Sequence, residues 1–151
     1  MTTIVDGLDA LHDLKGKQIG YSDWQPITQE RVNLFADATD DHQWIHVDPE
    51  RAKAGLFGGP IAHGYLTLSL VPVLLQSIIE VKNVRFGVNY GANKIRFPAP
   101  VLVGSDLRLG VTVADVEDTD GGVQVTYDAV LEVRGAPKPA CVAQVVYRYF
   151  D

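Results

Sequence analysis

The feature that most constrains the fold is a nearly all-apolar run from Leu66 to Ile79. It is shorter than the roughly 20 residues that a bilayer-spanning helix needs, and it contains Pro72 and Gln76. We therefore predict a long helix, roughly Tyr65 to Glu80, that is buried in protein rather than in a membrane. Because a helix that is apolar on all sides must be enclosed on most of them, the rest of the chain has to wrap around it.

The second half of the chain supplies this predicted wrapper as runs of alternating apolar and polar residues. The clearest runs are residues 107–113, 123–133 and 141–149. Alternation with a period of two is typical of strands that bury one face. Turn-rich breaks at 118–122 and 135–139 predict antiparallel hairpins between these strands. An earlier strand pair is predicted at Val84–Tyr90 and Lys94–Phe97.

Helices are predicted in the first part of the chain. The expected elements there are a short helix at 6–14, an extended segment at 19–27, a helix from Thr28 to about Ala38, and a short helix from Asp48 to Gly55. Thr28 and Asp48 can cap helix N-termini, and Pro49 suits a first helical position. Helices early and antiparallel strands late predict an α+β domain. The economical packing is a single domain over 1–151 in which one curved antiparallel sheet wraps around a long central apolar helix, the hot-dog fold.

Charge and cysteine content limit the expected partners and location. The chain has 13 Lys and Arg against 19 Asp and Glu, a net charge of −6. We therefore expect no nucleic-acid partner and no binding to a membrane surface. The single cysteine, Cys141, cannot form an internal disulfide, and no basic segment followed by an apolar run stands at the N-terminus. Both features favour a reducing, cytoplasmic location.

Polar residues with catalytic potential collect between residues 35 and 49, a stretch that holds four aspartates and two of the four histidines. Asp41 and His46 are five residues apart across a predicted turn, so a carboxylate and an imidazole could converge on one small molecule such as water. A histidine near its reference pKa can both give and take a proton near neutral pH. The first interpretation is therefore a general acid/base pair.

Three other interpretations stay open on these residues alone. A metal site could use His42, His46 and Asp48, with or without His63, although their spacing matches no strong metal motif. A nucleophilic mechanism would fall to Cys141, which is predicted on a buried strand face where thiols are usually inert. The aspartates could also simply cap helices while the histidines are ordinary surface groups, and for Asp48 capping is the favoured interpretation.

The glycine-rich loop at 55–64 leads directly into the apolar helix. Backbone N–H groups at a helix start point outward, where they can stabilise an oxygen that becomes negative during a reaction. Gly64 would let a ligand approach the backbone closely. A tight turn explains the glycines equally well, and no strand–Gly-x-Gly-x-x-Gly–helix order of a dinucleotide site is present.

A resemblance to a known family rests on residues in a fixed order: Asp41, His46, Asp48-Pro49, Ala52 and Pro60-Ile61-Ala62-His63-Gly64. This order resembles the hydratase motif of the MaoC-like dehydratases, the (R)-specific enoyl-CoA hydratases, in the nodulation protein N-like branch. The similarity covers most of the chain, from about Ile19 to the segment 96–101. Many family members carry Asn-Pro where this chain has Gln43-Trp44, so no role of that asparagine is carried over to this chain.

The resemblance implies a homodimeric hot-dog protein that adds water to trans-2-enoyl-CoA to give (3R)-3-hydroxyacyl-CoA, with no metal or redox cofactor. It implies that Asp41 activates the water, that His46 is its partner, and that the Gly64 N–H donates to the thioester oxygen. His63, Tyr65 and Arg96 are the further residues expected at the substrate. An open sheet edge also favours pairing with a second subunit.

Two other functions remain open for a hot-dog protein, because a fold does not fix a function. One is an acyl-CoA thioesterase, and the other is a non-catalytic acyl-ligand-binding protein. Since CoA is anionic and the chain is net acidic, CoA binding requires a local basic cluster. The candidates for that cluster are Lys53, Lys82, Arg85, Lys94 and Arg96.

Overall fold

One antiparallel sheet dominates the structure. The computed structural model describes residues 1–151, and its strands are β1 (Thr3–Asp6), β2 (Gln18–Tyr21), β3 (Gln25–Pro26), β4 (Ile79–Lys82), β5 (Phe86–Arg96), β6 (Asp106–Thr119), β7 (Gly122–Val133) and β8 (Cys141–Phe150). The large sheet has the order β2–β6–β7–β8–β5, and β3 also pairs with β6. The predicted hairpins β6–β7 and β7–β8 are confirmed. A separate parallel pair joins β1 to β4.

The helices occupy the first half of the chain, as predicted. They are α1 (Gln29–Thr39), α2 (Trp44–Val47), α3 (Pro49–Lys53), α4 (Gly64–Ser69) and α5 (Val71–Leu75), preceded by a 3₁₀ helix at Asp9–Leu14. Both predicted caps are present. The Thr28 hydroxyl accepts a hydrogen bond from the Arg31 N–H, and the Asp48 carboxylate accepts one from the Arg51 N–H, each at 3.1 Å.

The prediction of one helix over Tyr65–Glu80 is wrong in its extent. The helix is divided at Leu70 into α4 and α5 and ends at Leu75, while residues 79–82 form strand β4. Pro72 explains the division, because it has no N–H to donate and its ring crowds the preceding turn. Leu70 nevertheless keeps helical backbone angles, φ −80° and ψ −12°. The apolar run is therefore still enclosed, but as two short helices and a strand.

The predicted strand pair at Val84–Tyr90 and Lys94–Phe97 is also wrong. The segment is one continuous strand, β5, which pairs with β8 at the edge of the sheet. Gly91 suggests a turn in the sequence, but here it stands beside an irregularity of register, between Asn89 and Gly91. Glycine inside a strand often marks such a bulge.

The hydrophobic core lies between the sheet and helices α4 and α5. The inner face of the sheet is almost completely buried, with Leu109, Val111 and Leu131 no more than 1% exposed. Leu66 and Leu74 from the two helices belong to the same cluster. The predicted hot-dog arrangement is confirmed, and it places the start of α4 at one end of the core. No helix is long and apolar enough to cross a membrane.

Candidate active site

Three side chains from separate elements converge at the start of α4. Asp41 follows α1, where Asp40 in the left-handed region (φ 59°) ends that helix. His46 lies in α2, and His63 precedes the first residue of α4. A carboxylate oxygen of Asp41 and one ring nitrogen from each histidine lie within 4.8 Å of one another. The sequence-based expectation that Asp41 and His46 converge therefore agrees with the geometry.

The hydrogen bonding of His46 defines its protonation state. Its ring is 7% exposed, and Nδ1 lies 2.6 Å from the Ile61 carbonyl oxygen. Because a carbonyl can only accept, Nδ1 carries the proton and Nε2 presents its lone pair. Burial lowers the pKa of His46 from its ordinary value of 6.5, against the opposing effect of the Ile61 hydrogen bond. The ring is therefore held neutral with one free acceptor.

His63 connects the other two residues. Its ring stacks on His46 with the centroids 3.8 Å apart, and its Nε2 donates to the backbone carbonyl of Asp41 at 3.0 Å. The ring is only 4% exposed, and its Nδ1 has no hydrogen-bond partner. The Asp41 carboxylate lies 3.9 Å from Nε2. His63 thus holds the backbone of Asp41 against the ring of His46.

Asp41 faces the open side of this cluster. Its side chain is 52% exposed, and its carboxylate accepts only a long hydrogen bond, 3.4 Å, from the Gln43 N–H. The carboxylate is thus accessible to a small molecule that also reaches the buried His46 ring. The Asp41 carboxylate is thus exposed, whereas the neutral His46 ring is buried.

Gly64 begins α4, and its N–H makes no hydrogen bond within the protein. A Cβ at this position would lie 3.2 Å from the Phe97 ring, so only glycine fits without displacing that ring. A cavity of about 400 Å³ adjoins Gly64, Thr67 and Phe97. A ligand in this cavity would have a free backbone donor available at its wall.

The family model of the MaoC like domain matches residues 12–133 of this chain. The chain belongs to the MaoC-like family. It is 58% identical over 135 residues to 3-hydroxyacyl-thioester dehydratase Z of Mycobacterium tuberculosis H37Rv, covering 89% of each chain. It is 40% identical to nodulation protein N of Rhizobium meliloti, covering 90% of this chain and 86% of that one.

A solved structure supports the fold of this MaoC-like chain independently. The MaoC-like dehydratase from Rhodospirillum rubrum superimposes with a TM-score of 0.74 at 22% identity, covering 93% of this chain and 95% of the other. At this level of identity the comparison concerns the fold alone. It agrees with the curved sheet and helices described above.

Two further residues expected at the substrate lie outside the Asp41–His46–His63 cluster. Tyr65 is largely exposed on α4 and contacts the edge of the Phe97 ring, beside the cavity at Gly64. Arg96 is exposed at the end of β5, donates to the neighbouring Ile95 carbonyl at 2.7 Å, and shares a surface depression with Lys94. Their contacts with a substrate stay predictions.

The metal interpretation fits this MaoC-like site poorly. His42 is engaged with Asp37 at 2.8 Å, and Asp48 caps α3. His46 and His63 are close, but their rings are stacked with planes only 22° apart. Because the two ring planes are nearly parallel and stacked, one ion cannot lie in both planes, as good coordination by both rings at about 2.0–2.1 Å would require.

The nucleophilic interpretation fits no better. Cys141 is completely buried, and burial raises the pKa of its thiol to about 11. A thiol in this environment is protonated and shielded, as expected for a structural cysteine.

Two partners in the site carry no recognisable sequence signal. The Ile61 carbonyl, which fixes the tautomer of His46, is a backbone group in the glycine-rich loop. Gln29, the first residue of α1, donates from its amide to the His46 carbonyl at 2.8 Å. Its position at the start of the helix capped by Thr28 was visible in the sequence, but its distant partner was not.

Proposed function

We propose that this MaoC-like protein is an (R)-specific enoyl-CoA hydratase, which adds water to trans-2-enoyl-CoA to give (3R)-3-hydroxyacyl-CoA. The observation that supports this best is that a carboxylate oxygen of Asp41 and a ring nitrogen of His46 lie within 4.8 Å of each other near the start of α4. Membership of the family supports the coarser assignment, a hydro-lyase of the hydratase/dehydratase type. The same site catalyses the reverse dehydration, because a catalyst accelerates both directions.

The reaction moves one proton from water to carbon. The oxygen of a water held by Asp41 and His46 bonds to C3 of the enoyl thioester, while the water loses a proton to one of the two side chains. The C2=C3 electron pair moves towards the thioester, and C2 then takes up a proton from the site. His46 suits the role of proton acceptor, since its ring is held neutral with Nε2 free.

Negative charge grows on the thioester oxygen when the C3–O bond forms. The Gly64 N–H is a donor without a partner inside the protein, so it is available to that oxygen. A single positioned donor of this kind typically contributes about 3 kcal/mol to the transition state. Water adds across the double bond without net oxidation or reduction, so the reaction needs no redox cofactor.

His63 acts in this proposal as a positioning residue rather than as a substrate contact. Its only donor nitrogen is used on the Asp41 carbonyl, and its ring face is covered by His46. It therefore fixes the distance between the two groups that handle the water. Positioning of this kind matters because small displacements of reacting groups reduce rates steeply.

We also propose that the working form is a homodimer. All but one of the residues of β5 are exposed, although the strand is long and lies at the sheet edge. Phe86, Val88 and Tyr90 are among its exposed apolar residues. Long exposed apolar edges are usually covered by another strand.

The basic candidates for CoA binding do not form one cluster in a single chain, since Arg85 and Lys94 line different depressions.

The decisive experiment is a hydration assay with crotonyl-CoA that follows loss of the enoyl absorbance. Wild type is compared with Asp41→Asn and His46→Gln, and the configuration of the product is determined. We expect (3R)-3-hydroxybutyryl-CoA from wild type and at least about a hundredfold loss in each variant. Wild-type rates in both variants would refute the assignment.

The same reaction mixtures distinguish the two alternative functions. A thioesterase would release free CoA thiol, which a thiol reagent detects, whereas hydration leaves the thioester intact. A non-catalytic binding protein would change neither signal. Asp37→Asn is a suitable control, because Asp37 is an exposed carboxylate of the same segment that pairs with His42 rather than with His46.

A further inference from the structure

The cavity at Gly64 has walls that are apolar with one exception. Of the 11 residues that line it, Thr67 is the only one whose side chain carries a polar atom. The others contribute aliphatic or aromatic carbon, and Gly64 contributes its backbone. A single hydroxyl therefore stands in the wall of an otherwise hydrophobic space of about 400 Å³.

Thr67 lies in α4, three residues after Gly64, and is only 2% exposed. Residues three apart in a helix are neighbours on its surface. Side chains in a helix also lean towards its N-terminus, so the Thr67 side chain leans towards the turn that Gly64 begins. The hydroxyl and the Gly64 N–H thus belong to one helical turn and adjoin the same cavity.

The hydroxyl of Thr67 is free of the bond that helical hydroxyl groups often make. Serine and threonine in a helix can donate to the carbonyl four residues earlier, and Thr39 and Ser69 do so in this protein. The Thr67 hydroxyl makes no hydrogen bond within the protein. The carbonyl four residues before it, that of His63, accepts the backbone N–H groups of Leu66 and Thr67 instead, at 3.0 and 3.2 Å.

This unpaired hydroxyl is open to the cavity rather than sealed in the core. The fully enclosed side-chain oxygens that lack a partner belong to Gln29 and Tyr147, and the Thr67 oxygen is not among them. The oxygen is therefore part of the small exposed fraction of Thr67, at the cavity that this residue lines. Because buried polar groups are nearly always paired, a ligand in the cavity is the partner that the hydroxyl lacks.

The cavity shares a wall with the Asp41–His46–His63 cluster. Ile61 lines the cavity, and its carbonyl is the group that binds Nδ1 of His46. The residues on either side of His63 line the cavity as well. One loop therefore carries both the support of the proton-transfer side chains and the polar groups of the cavity wall.

We propose that the Thr67 hydroxyl is a second hydrogen-bond donor to the thioester oxygen, beside the Gly64 N–H. This inference rests on the proposed function, which supplies the thioester. A carbonyl oxygen has two lone pairs, so it can accept from both donors. Both hydrogen bonds strengthen as negative charge grows on that oxygen. The hydroxyl keeps its proton throughout, and the proton transfers stay with Asp41 and His46.

Thr67→Val tests this contact, because valine has nearly the shape of threonine and lacks the hydroxyl. We expect kcat with crotonyl-CoA to fall about 10- to 100-fold while KM changes less than about threefold, since the lost bond is strongest in the transition state. Thr67→Ser keeps a hydroxyl and should retain most of kcat. Wild-type kcat in Thr67→Val, or an equal loss in the two variants, would overturn the inference.

The melting temperature separates this role from a structural one. In Thr67→Val a methyl group replaces an unpaired buried hydroxyl in an apolar wall, so the melting temperature should stay the same or rise. A lower melting temperature would show that the hydroxyl already has a partner in the protein, and would contradict the proposal. Ser69→Ala is the matched control, because it removes a hydroxyl of the same helix that lies outside the cavity. A fall of kcat in Ser69→Ala as large as in Thr67→Val would also contradict it.

The infrared carbonyl band of bound butyryl-CoA tests the contact without turnover. This saturated thioester cannot be hydrated, and isotopic labelling of its carbonyl carbon separates its band from those of the protein. Hydrogen bonds to the carbonyl oxygen lower its stretching frequency, so the band should lie at a higher frequency in Thr67→Val than in wild type. The same frequency in both proteins would refute the contact.

The wild-type crotonyl-CoA assay separates this inference from the proposed function. Hydration of crotonyl-CoA together with an unchanged infrared band in Thr67→Val would refute the role of Thr67 alone. Absence of hydration together with a shifted band would refute the hydratase assignment alone. Failure of wild type to bind butyryl-CoA would refute both.

Discussion

The rings of His46 and His63 stack face to face, and each ring is tied through one nitrogen to a backbone carbonyl, that of Ile61 for His46 and that of Asp41 for His63. The His46 hydrogen bond joins α2 to the loop before α4, and the His63 hydrogen bond joins the same loop to the segment after α1. The pair therefore ties the backbone of Asp41 to the ring of His46.

Substitutions of His63 separate its stacking from its hydrogen bond. His63→Phe keeps a ring against His46 but cannot donate to the Asp41 carbonyl, whereas His63→Gln keeps a donor and loses the ring. If the donor positions Asp41, His63→Phe should lower kcat about 10- to 100-fold with little change in KM. His63→Gln should recover part of that loss. Steady-state kinetics with crotonyl-CoA, with melting curves to confirm folding, measure both; equal loss in the two variants would contradict a positioning role for the donor.

Gly64→Ala should impair catalysis through a steric displacement. The new Cβ would lie 3.2 Å from the Phe97 ring, so either the ring or the start of α4 must shift, and a shift of α4 moves the Gly64 N–H from its position. We expect at least about a tenfold fall in kcat/KM. Phe97→Leu in combination should restore part of the activity by making room.

Gly59→Ala is the matched control for that substitution. It lies in the same loop, but its Cβ would meet only the Leu102 side chain at 3.4 Å, an ordinary contact. Wild-type kcat/KM in Gly64→Ala would show that the position does not shape the site.

The pH dependence of activity should follow His46. Because burial lowers the pKa of His46 below 6.5, the neutral base persists below that pH. The acidic limb of kcat/KM that depends on His46 should therefore fall below pH 6.5. Stability changes in the same direction: the contribution of His46 is fully present above pH 6.5 and is lost as pH falls towards the lowered folded pKa, since the unfolded chain takes up the proton first.

Profiles of kcat/KM and of the free energy of unfolding against pH check both statements. His46→Gln provides the reference, because its unfolding free energy should lose this acid-dependent component. His42 should affect the unfolding free energy with the opposite pH dependence, because the hydrogen bond to Asp37 raises its pKa. His42→Gln, measured in parallel, removes that contribution. If the acidic limb of kcat/KM lay above pH 6.5 in wild type and was absent in His46→Gln, the buried, neutral state of His46 would be contradicted.

The oligomeric state should depend on the edge strand β5. Light scattering is expected to give a mass of roughly 33 kDa, twice the 16.5 kDa chain. Val88→Lys should shift the protein towards the monomer, because like charges would face each other across a symmetric edge. Val142→Lys is the control, since it has a similar exposure, 40% against 44%, but lies in β8, which already pairs on both sides. A monomeric wild type, or equal effects of both substitutions, would contradict pairing through β5.

Local signals in the sequence were sufficient for much of the fold. Thr28 and Asp48 cap the helices where expected, because capping depends only on residues a few positions apart. The alternating residues of β6, β7 and β8 revealed their buried faces for the same reason. Strand β4 was missed because its pairing with β1 joins segments far apart in the chain, and nothing near Ile79 signals it.

The candidate site was predicted in the same uneven way. Asp41 and His46 could be paired from their spacing and from the family motif. The carbonyl of Ile61 and the stacking of His63 could not, because both depend on how the loop at 55–64 folds back on α2. For Arg96 the sequence suggested more than the structure of one chain shows. Its charge suggested a contact with the ligand, but Arg96 lines a depression that contains none of Asp41, His46 and His63.

The parallel pairing of β1 with β4 ties the first strand of the chain to the far end of the helix pair. Val5 is buried and lies opposite Val81, which lines a depression between α5, β4 and β5. Proteolytic nicking or a bulky fusion near Thr3 would thus loosen β4 and the far end of the helix pair, while the Asp41–His46–His63 cluster lies on other elements.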